Sequence, residues 1–335
     1  MSYSATILGC AGPVLTAEER ALFAQARPWG FILFSRNLET PEQIRALCAA
    51  LRDAAGHDAV ILIDQEGGRV QRLRPPLGRE WLPPLDQIRA APDHATACRG
   101  MYLRYRLIAA ELRALGIDGN CAPMVDVADD ETHDFLRNRC YGDAPSAVAD
   151  LGRAVADGLL AGGVLPVLKH IPGHGRGRLD SHLELPVVGA TRAELDARDF
   201  PPFHALRDLP MAMTAHIVYT ALDPDLPATI SAAAISVIRE ALAFNGLLMS
   251  DDISMEALSG SIAARSAAAI AAGCDVVLHC NGKMPEMLAT VEASGVLRGA
   301  ALRRADAAVA ARRSPDDIDI AALTAEFDAL PAPAF

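Results

Sequence analysis

Lys169-His170-Ile171-Pro172-Gly173-His174-Gly175, followed by Asp180-Ser181-His182, is the chemically densest segment of the chain. Its glycines and proline suit neither helix nor strand, so it reads as a long shaped loop, and such loops usually carry function. Lys169 and Lys283 are the only lysines among 31 basic residues; the rest are arginines. A compact ammonium emerging from a buried run suits a hydrogen bond to a ligand hydroxyl, or else an ion pair with a carboxylate. Asp180 and His182 lie two apart, close enough for the carboxylate to accept from one imidazole nitrogen. That fixes the tautomer and favours the imidazolium, the state of a proton shuttle. The plainer role for Asp180 is to cap its loop.

A second candidate is Asp251, after the apolar run Gly246–Ser250. A carboxylate at the end of a buried strand is held rigidly, which suits a nucleophile or the stabiliser of a developing cation. Asp252 competes with it, because successive strand residues point opposite ways. Asp251 is favoured; the alternative is a carboxylate that caps the following helix. A third segment, Asp64-Gln65-Glu66-Gly67-Gly68-Arg69-Val70-Gln71-Arg72, sets carboxylates and two arginines around a glycine turn. Carboxylates accept from paired sugar hydroxyls, and arginines bind amide or carboxylate oxygens. Arg137-Asn138-Arg139 offers further cations. For Glu66, Arg69 and Arg137, ion pairs that tie loops together are the other reading.

Something must bring these segments together. Short aliphatic runs recur at Ala5–Gly9, Gly30–Phe34, Ala59–Ile63, Asn120–Val125, Val164–Leu168, Met211–Ala215, Gly246–Ser250 and Asp275–Cys280. They do not alternate with polar residues, as befits strands covered on both faces. Helical stretches separate them. Thr16-x-x-Glu19 and Thr191-x-x-Glu194 are capping boxes, and Thr40-Pro41 adds proline at a first helical position. Further helices are expected over Asp93–Leu115, Ser146–Ala161, Ser231–Phe244, Ser261–Ala272 and Lys283–Ala293, with one or two more beyond Gly295. Gly9-Cys10-Ala11-Gly12-Pro13 lacks the glycine spacing of a dinucleotide fold. Eight β/α repeats therefore predict a single-domain (β/α)8 TIM-type barrel over residues 1–335, with C-terminal helices from about 296. Asp64, Asp126, Lys169, His170, His216, Asp251, His279 and Asn281 all fall where such strands end, the face on which barrels do chemistry.

Composition narrows the class. Of 335 residues, 51% are hydrophobic and 22% charged, enough for a large core, and the net charge is −11. An acidic chain repels nucleic acid and anionic membranes, so neither is an expected partner. The seven cysteines form no C-x-x-C pair, which points to reduced thiols. With no basic, apolar leader and no run of ~20 apolar residues, the chain reads as cytoplasmic.

Asp64-Gln-Glu-Gly-Gly-Arg-Val-Gln-Arg72, Asn120-Cys-Ala-Pro-Met-Val-Asp126, Lys169-His-Ile-Pro-Gly-His-Gly175 with Asp180-Ser-His182, and Ser250-Asp-Asp-Ile-Ser-Met-Glu256 resemble the family-3 β-N-acetylglucosaminidases. Their order and spacing cover most of residues 5–290. The Asp-x-His pair separates these enzymes from family-3 β-glucosidases, and the match is to the short bacterial form of peptidoglycan recycling. The resemblance implies Asp251 as nucleophile of a retaining reaction and His182, with Asp180, as general acid/base on a mobile loop. Asp64, Arg72, Arg139, Lys169 and His170 would bind the terminal N-acetylglucosamine. Ile171 stands where the family usually has an aromatic; Asn138 and Cys140 also depart from its usual pattern.

No cofactor or metal is expected, and the partner is a small sugar substrate: N-acetylglucosaminyl-anhydromuramyl peptides or chito-oligosaccharides, bound by a monomer. Since an imidazole acid does not repel anions as a carboxylate does, phosphate can compete with water; hydrolysis is expected to dominate. Three rivals stand beside this reading. A metal-dependent barrel hydrolase would draw ligands from His170, His174, His182, His216 and Asp251, but the first strand carries no H-x-H. A Schiff-base lyase would use Lys169. A non-catalytic amino-sugar-binding protein would keep the pocket without turnover.

Overall fold

The computed structural model describes residues 2–178 and 185–331. Eight parallel strands run in it: β1 (Ser4–Gly9), β2 (Pro28–Leu33), β3 (Val60–Ile63), β4 (Gly119–Asn120), β5 (Leu165–Ile171), β6 (Met211–Thr214), β7 (Leu247–Asp252) and β8 (Val276–His279). Each pairs with the next in sequence and β8 pairs with β1, closing a barrel. Every apolar run predicted as a strand overlaps one of them. The runs do not alternate because both faces are buried. Ile7, Ile32, Leu62, Val167, Met213, Met249 and Leu278 form the inner cluster. Their chain neighbours Leu8, Leu33, Ile63, Leu168, Ala212, Leu248 and Val277 belong to the layer under the helices.

The helices follow their start signals. Thr16 and Glu19 form a reciprocal capping box ahead of Ala17–Ala26. Thr40 caps Pro41–Ala55, which buries Ile44, Leu47, Cys48, Leu51 and Ala55 at helical spacing and ends on Gly56 at φ 66°. Asp93 caps His94–Ala114, and the chain beyond Gly295 forms Gly299–Ala310 and Ile320–Asp328.

Two strands depart from expectation, and both matter for the site. β4 is only two residues long, because Pro123 brings no N–H to the ladder. The segment still follows β5, with Val167 N donating to Ala122 O at 2.8 Å and Lys169 N to Pro123 O at 3.0 Å. Conversely, β5 runs on to Ile171, so Lys169 and His170 lie in a strand rather than a loop. The β5–β6 register slips between Leu168 and Ile171, an irregularity of the kind that re-aims side chains beside sites. Two short ribbons were not foreseen. Gln65–Gly67 pairs antiparallel with Val70–Gln71, and Val187–Val188 pairs with Val218–Tyr219.

Candidate active site

A cavity of about 430 Å³ opens at the C-terminal ends of the strands. Asp64 follows β3, Lys169 and His170 come from β5, and Asp251 is the last residue but one of β7; all four line it, with Arg72 and Arg139 from the loops. Of the eight site residues expected from sequence, the cavity thus gathers six. The other two, Asp180 and His182, lie outside the described residues.

Charge pairing organises the floor. Lys169 Nζ stands 2.5 Å from Glu66 Oε1 and 3.3 Å from Asp64 Oδ1. Arg72 Nη2 reaches Asp64 Oδ2 at 2.9 Å, and Arg139 binds Glu66 through two parallel bonds of 2.9 and 2.8 Å. The order is Arg72–Asp64–Lys169–Glu66–Arg139, three cations holding two carboxylates. Burial pushes the Asp64 carboxyl up, but Lys169 and Arg72 outweigh it and hold it well below the usual carboxylate range. Glu66 feels the same contest, won by Arg139 and Lys169, and stays down at about 2. Burial lowers Lys169, yet Glu66 and Asp64 raise it above an ordinary lysine. All three are therefore ionised at neutral pH. Both readings of Lys169 meet here: it is ion-paired, and two of its three N–H donors are used, leaving one for a ligand hydroxyl.

His170 is held from behind. Its Nδ1 donates to Asp126 Oδ2 at 2.8 Å, so Nε2 is the nitrogen left for a ligand. Burial raises the Asp126 carboxyl, and the His170 charge and hydrogen bond bring it below its ordinary value. Asp126 Oδ1 also accepts from the backbone N of His174 at 2.6 Å.

Asp251 and Asp252 both reach the cavity wall, but their surroundings differ. Asp252 Oδ1 accepts from Ser254 N at 3.1 Å and Cys280 N at 3.2 Å, and its Oδ2 accepts from Ser254 Oγ at 2.7 Å. It ties β7 to the loop after β8. Asp251 shares the inward parity of Leu247 and Met249, and its Oδ1 accepts from the Asp252 N–H at 2.7 Å. That backbone donor helps to fix the carboxylate, as a positioned nucleophile requires.

Not every strand-end polar residue joins the site. His216 is spent on Thr229 Oγ1 at 2.7 Å and the Asp252 carbonyl at 3.0 Å. His279 turns away to Glu286 at 3.1 Å. Arg137 donates to the carbonyls of Asp130 and Thr132, tying its loop. Two members lie outside the eight expected site residues. Glu66, which the sequence offers as a hydroxyl acceptor or as a loop-tying ion pair, is the hub of the ion-pair chain. His174 lines the cavity 2% exposed, and both its ring nitrogens are buried without a hydrogen-bond partner among the described residues. Burial, then the neighbouring His170, push it down to about 4, so it is neutral at physiological pH. Among the described residues, no three His, Cys, Asp or Glu side chains are arranged to hold a metal ion.

Comparison with known proteins shows the family of the chain. The model of the glycosyl hydrolase family 3 N-terminal domain matches residues 11–311. The chain is 40% identical over 280 residues to the β-hexosaminidase of Alkalilimnicola ehrlichii, covering 82% of this chain and 80% of that one. It is 37% identical over 287 residues to the β-hexosaminidase of Pseudomonas aeruginosa, covering 84% of each. Native NagZ from Neisseria gonorrhoeae superimposes with a TM-score of 0.85 at 29% identity, over 98% of this chain and 96% of that one. A family 3 β-N-acetylglucosaminidase from Paenibacillus sp. gives 0.80 at 30% identity over 99% of this chain, which spans only 63% of that longer protein.

Proposed function

The chain belongs to glycosyl hydrolase family 3 and is a glycoside hydrolase of the β-hexosaminidase type, and from that premise we propose that it removes terminal, non-reducing N-acetylglucosamine with retention of configuration. Asp251 attacks the anomeric carbon while His182, as imidazolium oriented by Asp180, gives its proton to the departing oxygen. A covalent glycosyl-enzyme results. Neutral His182 then takes a proton from water, the water oxygen bonds to the anomeric carbon, and the Asp251 carboxylate leaves. Asp64 and Lys169 hold sugar hydroxyls, with Arg72, Arg139 and His170 around them. Most glycosidases use two carboxyl groups for these roles. The natural substrates on this reading are N-acetylglucosaminyl-anhydromuramyl peptides or chito-oligosaccharides, cleaved by a cytoplasmic monomer in peptidoglycan recycling. No helix of the described residues is long and apolar enough to cross a membrane.

The observation that carries this reading is the Asp251 carboxylate, which accepts from the Asp252 backbone N–H, in one cavity with the Arg72–Asp64–Lys169–Glu66–Arg139 chain. The test sets p-nitrophenyl β-N-acetylglucosaminide beside the β-glucoside and then labels the enzyme with a fluorinated sugar inactivator. Cleavage of the first substrate and a tag on Asp251 are expected. Equal cleavage of the glucoside, or a tag elsewhere, overturns the assignment. In phosphate buffer the free sugar should remain the main product; sugar 1-phosphate in its place makes the enzyme a phosphorylase.

A further inference from the structure

Among the described residues, four arginine or lysine side chains line the cavity: Arg69, Arg72, Arg139 and Lys169. Three are balanced by Asp64 and Glu66. Arg69 has no carboxylate partner among the described residues. It is exposed at the rim, and its guanidinium lies 3.8 Å from the centre of the Phe135 ring. Stacking occupies the flat face of a guanidinium and leaves its edge, with its N–H donors, pointing along the plane. That edge matches a planar carboxylate through two parallel hydrogen bonds.

Its support is rigid. Arg69 follows Gly67 and Gly68, at φ 107° and 57°, in the turn between Gln65–Gly67 and Val70–Gln71. Arg104 holds the Glu66 carbonyl and the Leu82 carbonyl, the latter at 2.7 Å. Gly68 N donates to Trp81 O at 2.7 Å, and Arg74 reaches the Gly68 carbonyl at 2.6 Å. The turn is clamped from both sides, so little entropy is lost when Arg69 takes a ligand.

We propose that Arg69, stacked on Phe135, selects substrates whose leaving group carries a carboxylate. This rests on the exo-glycosidase reading above. There the terminal sugar fills the buried end, where the Lys169 side chain is 2% exposed and that of Arg139 is 7% exposed, and the leaving group lies toward the open rim. A charge at that rim acts on the leaving group.

The test separates binding from turnover. Two thioglycosides of N-acetylglucosamine, with 4-carboxyphenyl and 4-carbamoylphenyl aglycones, have the same shape and differ in charge. Calorimetry on the full chain at low salt should find the carboxylate bound about fivefold more tightly, an advantage that shrinks at about 0.5 M salt. Arg69→Gln should bring the carboxylate ligand down to the affinity of its neutral twin. Arg69→Lys, keeping the charge and losing the fork, should retain part of the difference. Equal affinities in the wild type, or a preference that survives Arg69→Gln, overturns the proposal. Nitrophenyl turnover by the same wild-type preparation reports separately on the hydrolase reading. Its absence beside an Arg69-dependent preference sinks that reading, and with it the leaving group, and leaves Arg69 only as the carboxylate-recognising residue of a sugar-binding cavity.

Discussion

Neighbouring residues of one chemical type play unlike parts here, and substitution separates them. Asp251→Ala should abolish turnover of the nitrophenyl substrate; retained turnover would remove Asp251 from the nucleophile's role. Asp252→Ala removes the acceptor for Ser254 N, Ser254 Oγ and Cys280 N. It should lower stability by about 1–3 kcal/mol in thermal unfolding. His182→Ala should hurt substrates with poor leaving groups far more than nitrophenyl ones; equal losses argue against an acid role. His174 gives a pH signature. Its ordinary value is 6.5 and its folded value about 4, so the unfolded chain takes up the proton first as pH falls. Stability is full above 6.5 and drains away toward 4, on the order of 2–3 kcal/mol. His174→Asn should flatten that slope in melts taken from pH 7 to 4, whereas Glu66, held at about 2, contributes its loss only below 4.5. An unchanged slope would mean that His174 titrates freely.

The elements that aim these side chains are those least like regular secondary structure. β5 carries Lys169 and His170 through its register slip to one cavity, where a regular strand would send them to opposite faces. The glycine turn before Arg69 is the tightest piece. A Cβ on Gly67 would lie 1.8 Å from Arg104 Nη2 and 2.7 Å from the Leu82 carbonyl, at a φ of 107°. Gly67→Ala should cost about 2–4 kcal/mol. Because the turn follows Glu66, it should also raise KM for the nitrophenyl substrate more than it lowers kcat. Gly175 is fixed by close approach alone, with Val127 O 1.9 Å from where its Cβ would sit. The glycines and Pro172 correctly announced a shaped segment after β5. They misplaced its start, because the apolar pattern stops at Leu168 while the backbone ladder continues to Ile171.

At the scale of the molecule, the last helix, Ile320–Asp328, packs on helix His94–Ala114 of the layer outside the strands. Phe327 meets Trp81 edge-on at 5.3 Å, with Arg79 against both rings, and Glu326 binds Arg99 through two bonds of 2.7 Å. Phe327→Ala should lower stability by about 1–3 kcal/mol and leave KM unchanged, since this contact lies away from the cavity. A parallel change in KM would show that the tail reaches the site. The strand count, the barrel and the candidates Asp64, Arg72, Arg139, Lys169, His170 and Asp251 were all legible in the chain. Local physics writes the fold directly, because doubly buried strands are continuously apolar and helices announce their caps. The ends of apolar runs offered Asp64, Lys169, His170 and Asp251, but also His216 and His279, which face elsewhere, and Arg72 and Arg139 came from the family resemblance. Partnership was not legible. That Glu66 sits between Lys169 and Arg139, that Asp126 backs His170, and that Asp252 is spent on Cys280, depend on segments tens to over a hundred residues apart along the chain. Only closure of the barrel brings them within hydrogen-bonding distance.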